Sequence, residues 1–344
     1  MSAVEQPSAE VAARAAARLG DLAIPAGALG RLGDLGVWIC ATQGVVPPRE
    51  LTDVRLVIFA GDHGVSAYGV SAYPAEITAA MVRTFVMGKA TVSALAAAHD
   101  VNVRVLDIGV DDDLDGVDPE VRKHKVRRGS GAIHLEDALT AEETRQALEA
   151  GAAVATEEIA QGAQLLLCGD MGIGNTTPAA ALVAAGLGLP ATEVTGRGTG
   201  ISDEAVIHKQ TVVQQALDRA GADSLGPFES LVALGSADLA AATGFMVAAA
   251  RAGVPVLLDG VISVACALTA ERLAPGSVAW FAAGHRSTEP AQSLALEKLG
   301  LHPILDLDMR LGEGSGAVAA VPVLRSAVAV MRDVALLADL LPDA

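Results

Sequence analysis

Short apolar runs, separated by Ala-rich stretches with helical spacing, set the rhythm of the chain. Five runs read as buried strands: Val54–Ala60 (VRLVIFA), Val101–Ile108, Gln164–Cys168, Pro255–Leu258 and Val278–Ala282. Apart from Val101–Ile108 (VNVRVLDI), which carries Asn102, Arg104 and Asp107, each is almost continuously apolar, which suits strands covered on both faces. Between them, Ala141–Gln161 and Ser236–Ala252 read as helices. Residues 8–20 form an Ala-rich amphipathic pattern, and Ala23–Gly44 opens with loop signals before a second helical pattern. Strands alternating with helices predict a parallel, Rossmann-like sheet flanked by helices, an α/β fold. The two ends of the chain both read as helical. They are expected to pack together as a smaller helical domain, residues 1–44 plus 311–344, beside a large α/β domain spanning 45–310.

Composition narrows the class. Of 344 residues 51% are hydrophobic and only 3% aromatic, so the core must be built from small side chains. Mean hydropathy is +0.42. The best candidate for a membrane segment, Val254–Ala270, carries Asp259 and Gly260 and is too short to span; a strand, a turn and a helix fit it better. Net charge is 24 − 41 = −17. Such a surface repels a phosphate backbone, which argues against nucleic-acid binding. The cysteines Cys40, Cys168 and Cys266 lie in apolar stretches without metal-type spacing and read as buried thiols of a reducing compartment. The first twenty residues lack the basic-then-apolar pattern of a secretory signal, so a cytoplasmic location is expected. The acids Asp111–Asp113 and the basic run Val121–Gly131 read as a solvated surface connection.

In a parallel sheet ligands bind beyond the carboxyl ends of the strands. Four loops there carry polar residues among glycines: GDHGVSAYGVSAYP (61–74), GDMGIGNTTP (169–178), DGVIS (259–263) and GHRSTEP (284–290). In the second, Gly172 and Gly174 allow close backbone approach. Asn175, Thr176 and Thr177 can cap the following helix or donate to an oxyanion at its positive end. VTGRGTGIS (194–202) adds another glycine-rich turn, with Arg197 and Lys209 as candidate cations. Neither segment is a P-loop or a G-x-G-x-x-G fingerprint. The residues alone therefore indicate a phosphate-bearing small molecule. Glu313, between Gly312 and Gly314 ahead of an apolar run, is open to a ligand. An apolar surround would raise its pKa and poise it as a base.

PAGALGRL, GDHGV…SAYP, GDMGIGNTTPAAA, GRGTG, DGVISVACAL, GHRSTEP and DMRLGEGSGA resemble, in order and spacing, the nicotinate-nucleotide–dimethylbenzimidazole phosphoribosyltransferases, from about Ala23 to about Leu324. The resemblance implies transfer of phosphoribose from nicotinate mononucleotide to dimethylbenzimidazole, with inversion at the anomeric carbon, in cobalamin assembly. It further implies a homodimer and no cofactor, because a pyridinium leaves without a proton and no pyrophosphate departs. It assigns Glu313 as general base, with Asp170 where the family commonly has Glu. It places phosphate and ribose at Gly172, Gly174, Asn175, Thr176, Thr177, Gly198, Gly200, Lys209 and Ser287, and the aromatic base at Ser71, Tyr73, Leu311 and Gly312. Asp62 and Asp259 lie in matching loops. Where the family often has Gln in the base-pocket helix, this chain has Ala79 and Ala80; Ala291 and Gln292 stand where Gly-His is common, and Ile24 and Ala28 replace a common Lys and Ser. These departures put the choice of base in question. A nucleoside-phosphorylase-like enzyme and a non-catalytic nucleotide-binding protein are the alternatives.

Overall fold

The computed structural model describes residues 2–340; Met1 and residues 341–344 of the expected terminal helical unit lie outside the described residues. Six strands form one wholly parallel sheet: β1 (Val54–Gly61), β2 (Asn102–Gly109), β3 (Leu165–Met171), β4 (Val256–Leu258), β5 (Phe281–Arg286) and β6 (Pro303–Asp306). The spatial order is β2-β1-β3-β4-β5-β6. After β2 the chain returns to the other side of β1, so the topological switch falls between β1 and β3, where a crevice opens.

Four of the expected strands agree within a few residues. The fifth does not: Ser277–Trp280 forms a 3-10 turn, and β5 starts at Phe281. The indole N–H of Trp280 donates to the Glu5 carbonyl at 2.8 Å, which fixes this turn against the N-terminal segment. β6 has no counterpart in the expected pattern. It is a short edge strand, and its residues are only half-buried or exposed.

Alternation along the strands feeds two cores. Leu56, Ile58, Leu165, Leu167 and Leu257 face one side, and Val57, Phe59, Leu166, Cys168 and Leu258 face the other. The first side is covered by α3 (Ile77–Val86), α4 (Thr91–Ala98) and α13 (Ser315–Asp333). The second is covered by α5 (Ala141–Ala160), α6 (Thr176–Leu187), α10 (Ala237–Arg251), α11 (Val261–Leu273) and α12 (Pro290–Leu299), with α7 (Ala191–Val194), α8 (Asp203–Ala220) and α9 (Pro227–Leu234) outside them. The T-shaped Phe59–Phe245 pair, 5.4 Å between centroids, ties β1 to α10.

The terminal helices α1 (Ala9–Asp21) and α2 (Arg31–Gln43) meet α13 around Val11, Ala15, Cys40 and Met331. Arg18 donates to the Met331 carbonyl at 2.7 Å, and a single antiparallel bridge joins Leu22 to Leu336, just before α14 (Leu337–Leu340). Helix α13 also buries Val318, Val321 and Leu324 against the sheet. It is long and apolar enough to cross a membrane, a property that buried core helices share. The basic run is less solvated than its composition suggests. Lys125 donates at 2.8 Å to Asp107, which is fully buried. The buried Ser130 hydroxyl accepts the Ala237 N–H at 3.2 Å and so joins this run to the start of α10.

Candidate active site

A cavity of about 400 Å³ lies beyond the carboxyl ends of β3, β4 and β5. Its walls come from the four loops singled out above and from the segment after β6, with Ile77 and Met81 of α3 on one side. A larger hollow at the opposite end of the sheet contains Arg55, Arg104, Lys123, Glu157 and Glu158, whose charges already pair with one another or with Asp53. Among the described residues lining that hollow, no unpaired cation invites a ligand.

Glu313 lines the cavity and is 7% exposed. Its backbone is left-handed, with φ +64°, between Gly312 at +83° and Gly314 at +90°. Three consecutive positive φ values turn the chain sharply into α13 and are costly for the one residue with a side chain. Asp259, at the end of β4, holds the turn. Its Oδ2 accepts from Gly314 N–H at 3.1 Å, and its Oδ1 accepts from Gly316 and Ala317 N–H at 2.8 and 3.0 Å. His285 Nε2 approaches the same carboxylate at 3.4 Å. Burial pushes the Asp259 pKa up, but the His285 contact and the Ala317 and Gly260 N–H groups outweigh it and leave it below the ordinary value. Burial lifts the Glu313 carboxyl from 4.5 to about 7; Asp259's charge adds to the rise and the Val92 N–H opposes it. Among the described residues, Glu313 Oε2 has no hydrogen-bond partner.

The polar end of the cavity is built on Lys209, a fully buried side chain of α8. Its ammonium donates to Thr176 Oγ1 at 2.6 Å, at the start of α6. Burial lowers its pKa from 10.5 to about 8, partly offset by the charge of Glu289. Glu289 accepts the Gly198 N–H at 2.8 Å and so fastens the glycine-rich turn over this niche. A side chain at Gly198 would come within 2.8 Å of Thr176 Oγ1. Ser287 also lines the cavity. Gln292, fully buried, fixes that loop by donating to the carbonyls of Asp259 and His285 and accepting the Ser287 N–H.

Of the residues expected at the site, the cavity is lined by Asp170, Gly172, Asn175, Thr176, Gly198, Ser287, Tyr73, Leu311, Gly312 and Glu313. Gly174 stands one position before Asn175 with φ +89°, and Lys209 reaches the niche through Thr176. Ser71, Gly200 and Thr177 stand outside the lining. Ser71 accepts from Tyr73 N–H, and Thr177 is fully buried, its hydroxyl without a partner among the described residues. Asn175 makes no capping bond; its amide donates to Asp170 Oδ1 at 2.7 Å. Arg197 is engaged by Asp203 and the Ile201 carbonyl, so it is not the free cation the sequence suggested.

Sequence reasoning missed Arg310. It lines the cavity near Gly200, and among the described residues no carboxylate pairs with it. Its only signal was its place three residues before Glu313. Asp238 was also missed. It sits fully buried in the first turn of α10, against Asp170, in a stretch whose pattern spoke only of helix.

A family model described as phosphoribosyltransferase matches residues 4–339. A protein of Mycolicibacterium paratuberculosis named nicotinate-nucleotide–dimethylbenzimidazole phosphoribosyltransferase is 53% identical over 336 residues, covering 98% of this chain and 96% of its own. A protein of the same name from Mycobacterium leprae is 50% identical over 336 residues, covering 98% of this chain and 95% of its own. The crystal structure of CobT from Thermus thermophilus superposes with a TM-score of 0.91 at 45% identity, covering 95% of this chain and 97% of that one. With sequence, fold and full-length coverage in agreement, the chain belongs to the nicotinate-nucleotide–dimethylbenzimidazole phosphoribosyltransferase family.

Proposed function

We propose that this enzyme transfers the phosphoribosyl group of nicotinate mononucleotide to dimethylbenzimidazole, giving α-ribazole 5′-phosphate and nicotinate, for the nucleotide loop of cobalamin. The observation that carries the reading is one cavity with two unlike ends. Thr176 and Lys209 offer a hydroxyl and a buried ammonium at one end; Glu313, in a lining shared with apolar Ile77, Met81 and Leu311, offers at the other a carboxyl oxygen without a partner among the described residues. The first end suits a phosphate. The second suits a flat heteroaromatic ring that must lose a proton.

The chemistry follows from those groups. Ionised Glu313 takes the azole N–H proton while the other ring nitrogen attacks C1 of the ribose. The bond from C1 to the pyridinium nitrogen breaks, and its electron pair returns to that ring, which leaves as nicotinate. Attack from the face opposite nicotinate converts a β-linkage into an α-linkage. The Lys209 niche holds the phosphate throughout, so binding energy away from C1 orients the reacting carbon.

The deciding experiment incubates the protein with nicotinate mononucleotide and dimethylbenzimidazole and measures nicotinate and α-ribazole phosphate. Release should require the azole and persist in the presence of a chelator. Release driven by free phosphate without an azole would instead mark a phosphorylase. No release at all would mark a binding protein. A soluble homodimer in the cytoplasm is the accompanying expectation.

A further inference from the structure

We propose that His63 and Asp238 are positioning residues for this reaction: their ion pair, sealed beneath the cavity floor, keeps the proton shared by the Asp170 and Asp238 carboxyls on Asp170. The kinetic consequence rests on the transfer reading above; the structural basis does not.

Asp238 is fully buried, and His63, two residues beyond β1, is 2% exposed. His63 Nε2 lies 3.4 Å from Asp238 Oδ2. Two glycines make room for the pair. A side chain at Gly61 would stand 2.6 Å from Asp238 Oδ1, and one at Gly172 would stand 2.5 Å from His63 Nε2. Asp170, which lines the cavity, lies close enough to Asp238 for the two carboxyls to act on each other directly. Asp170 Oδ1 accepts from Asn175, but among the described residues Asp170 Oδ2 and both Asp238 oxygens have no hydrogen-bond partner. Two packed carboxyls cannot both stay ionised, and one proton between them satisfies oxygens that are otherwise orphaned.

Which oxygen holds the proton depends on the surrounding charges. Asp62 faces His63 from the end of β1 and accepts the Asp111 N–H at 2.8 Å. Asp259 faces Asp170 from the end of β4. The thiols of Cys168 and Cys266 are held protonated by burial. Among these groups His63 is the cation that faces the pair. Burial draws the His63 pKa down, but the charge and contact of Asp238, helped by Asp62, leave it above the ordinary value. Burial pushes Asp238 up, and His63 outweighs it; burial and Asp238 together push Asp170 well up.

With His63 protonated, Asp238 is the weaker base. The proton stays on Asp170, which donates to Asp238, accepts from Asn175 and shows no charge to the cavity. When His63 loses its proton, Asp238 becomes the stronger base. The proton crosses, and the negative charge appears on Asp170, facing an anionic substrate and the Glu313 base.

The test is the pH dependence of kcat at saturating nicotinate mononucleotide, where the phosphate holds Lys209 charged. Wild-type kcat should fall on the alkaline side as His63 titrates. His63→Gln should lower kcat on the order of tenfold at neutral pH, and should lack that alkaline fall while keeping the acid-side fall set by Glu313. A flat alkaline side in the wild type, or a variant slowed equally at every pH with the alkaline fall intact, overturns the proposal. An NMR titration of the His63 imidazole in the wild type stands independently of whether the variant folds. The ring should titrate above pH 6.5 and revert toward it in Asp238→Asn; titration at or below 6.5 in the wild type overturns the proposal. Absence of nicotinate release from the wild type would defeat the transfer reading, while the imidazole titration would still decide the charge state of the pair.

Discussion

The Asp259 carboxylate accepts the Gly314 N–H at 3.1 Å, one residue beyond Glu313. A loop with three successive positive φ values is thereby pinned to the end of β4, and the position of the Glu313 carboxyl is set from a neighbouring strand.

Asp259→Ala should remove that pin. Three backbone N–H groups would lose their acceptor inside the protein, and His285 would lose the carboxylate 3.4 Å away. Each unsatisfied buried donor costs about 1–3 kcal/mol, so the melting temperature should fall clearly. Turnover should fall further than substrate affinity, because the loop carries Glu313. Asp259→Asn keeps one acceptor oxygen and should lie between wild type and Ala. Thermal melts and steady-state kinetics on both variants check this.

Glu313→Gln should fold, bind nicotinate mononucleotide and lose turnover by roughly 10²–10⁴-fold, the usual share of a positioned base. It should also be more stable than the wild type at pH 8. The folded carboxyl has its pKa raised from 4.5 to about 7, so the folded state binds the proton more tightly than the unfolded one. Stability is therefore lost as pH rises from 4.5 through 7. Above that the penalty is complete, at most roughly 3 kcal/mol. Denaturant melts of both proteins at pH 5 and pH 8 measure the difference, which should be large only at pH 8.

In the proposed mechanism the same carboxyl sets the acid side of the activity profile. Glu313 must be ionised to take the azole proton, so kcat should drop below about pH 7. An unperturbed carboxylate would hold activity down to the ordinary range near 4.5. An acid-side midpoint close to 4.5 would contradict the buried setting of Glu313.

With the phosphate placed at Lys209 as proposed, that residue should set an alkaline limit on substrate binding. Its ammonium is neutralised as pH rises through about 8, and the phosphate then loses its buried cation. Affinity for nicotinate mononucleotide should weaken above pH 8, and binding there should take up a proton. Calorimetry in buffers of different ionisation enthalpy measures that uptake. Lys209→Met should abolish the proton uptake and raise KM more than it lowers kcat.

Most strands of this protein were legible because a sheet covered on both faces favours continuous apolar runs, and VRLVIFA fits that place. The loops were legible because glycine beside Asp, Asn, Thr or Ser at a strand's end serves few purposes. β6 was not legible: four partly exposed residues at a sheet edge carry too little burial to mark the chain. Nor was the start of β5, which the docking of Trp280 onto Glu5 decides from 275 residues away.

The site divides along the same line. Glu313, Thr176 and Lys209 could be named from their local setting and their likeness to a family. Arg310 could not, because one arginine in a loop gives no sign of what it faces. Asp238 could not either, since an acid in the first turn of a helix is ordinary at the surface and decisive only when buried against Asp170. Residue type and periodicity determine which segments become strands and helices, because hydrophobic burial acts on the chain's own pattern. Which titratable groups meet beneath the cavity, and which of them stay charged, is settled only when distant strand ends converge. Desolvation and charge coupling act over a few ångströms of space, without regard to separation along the chain.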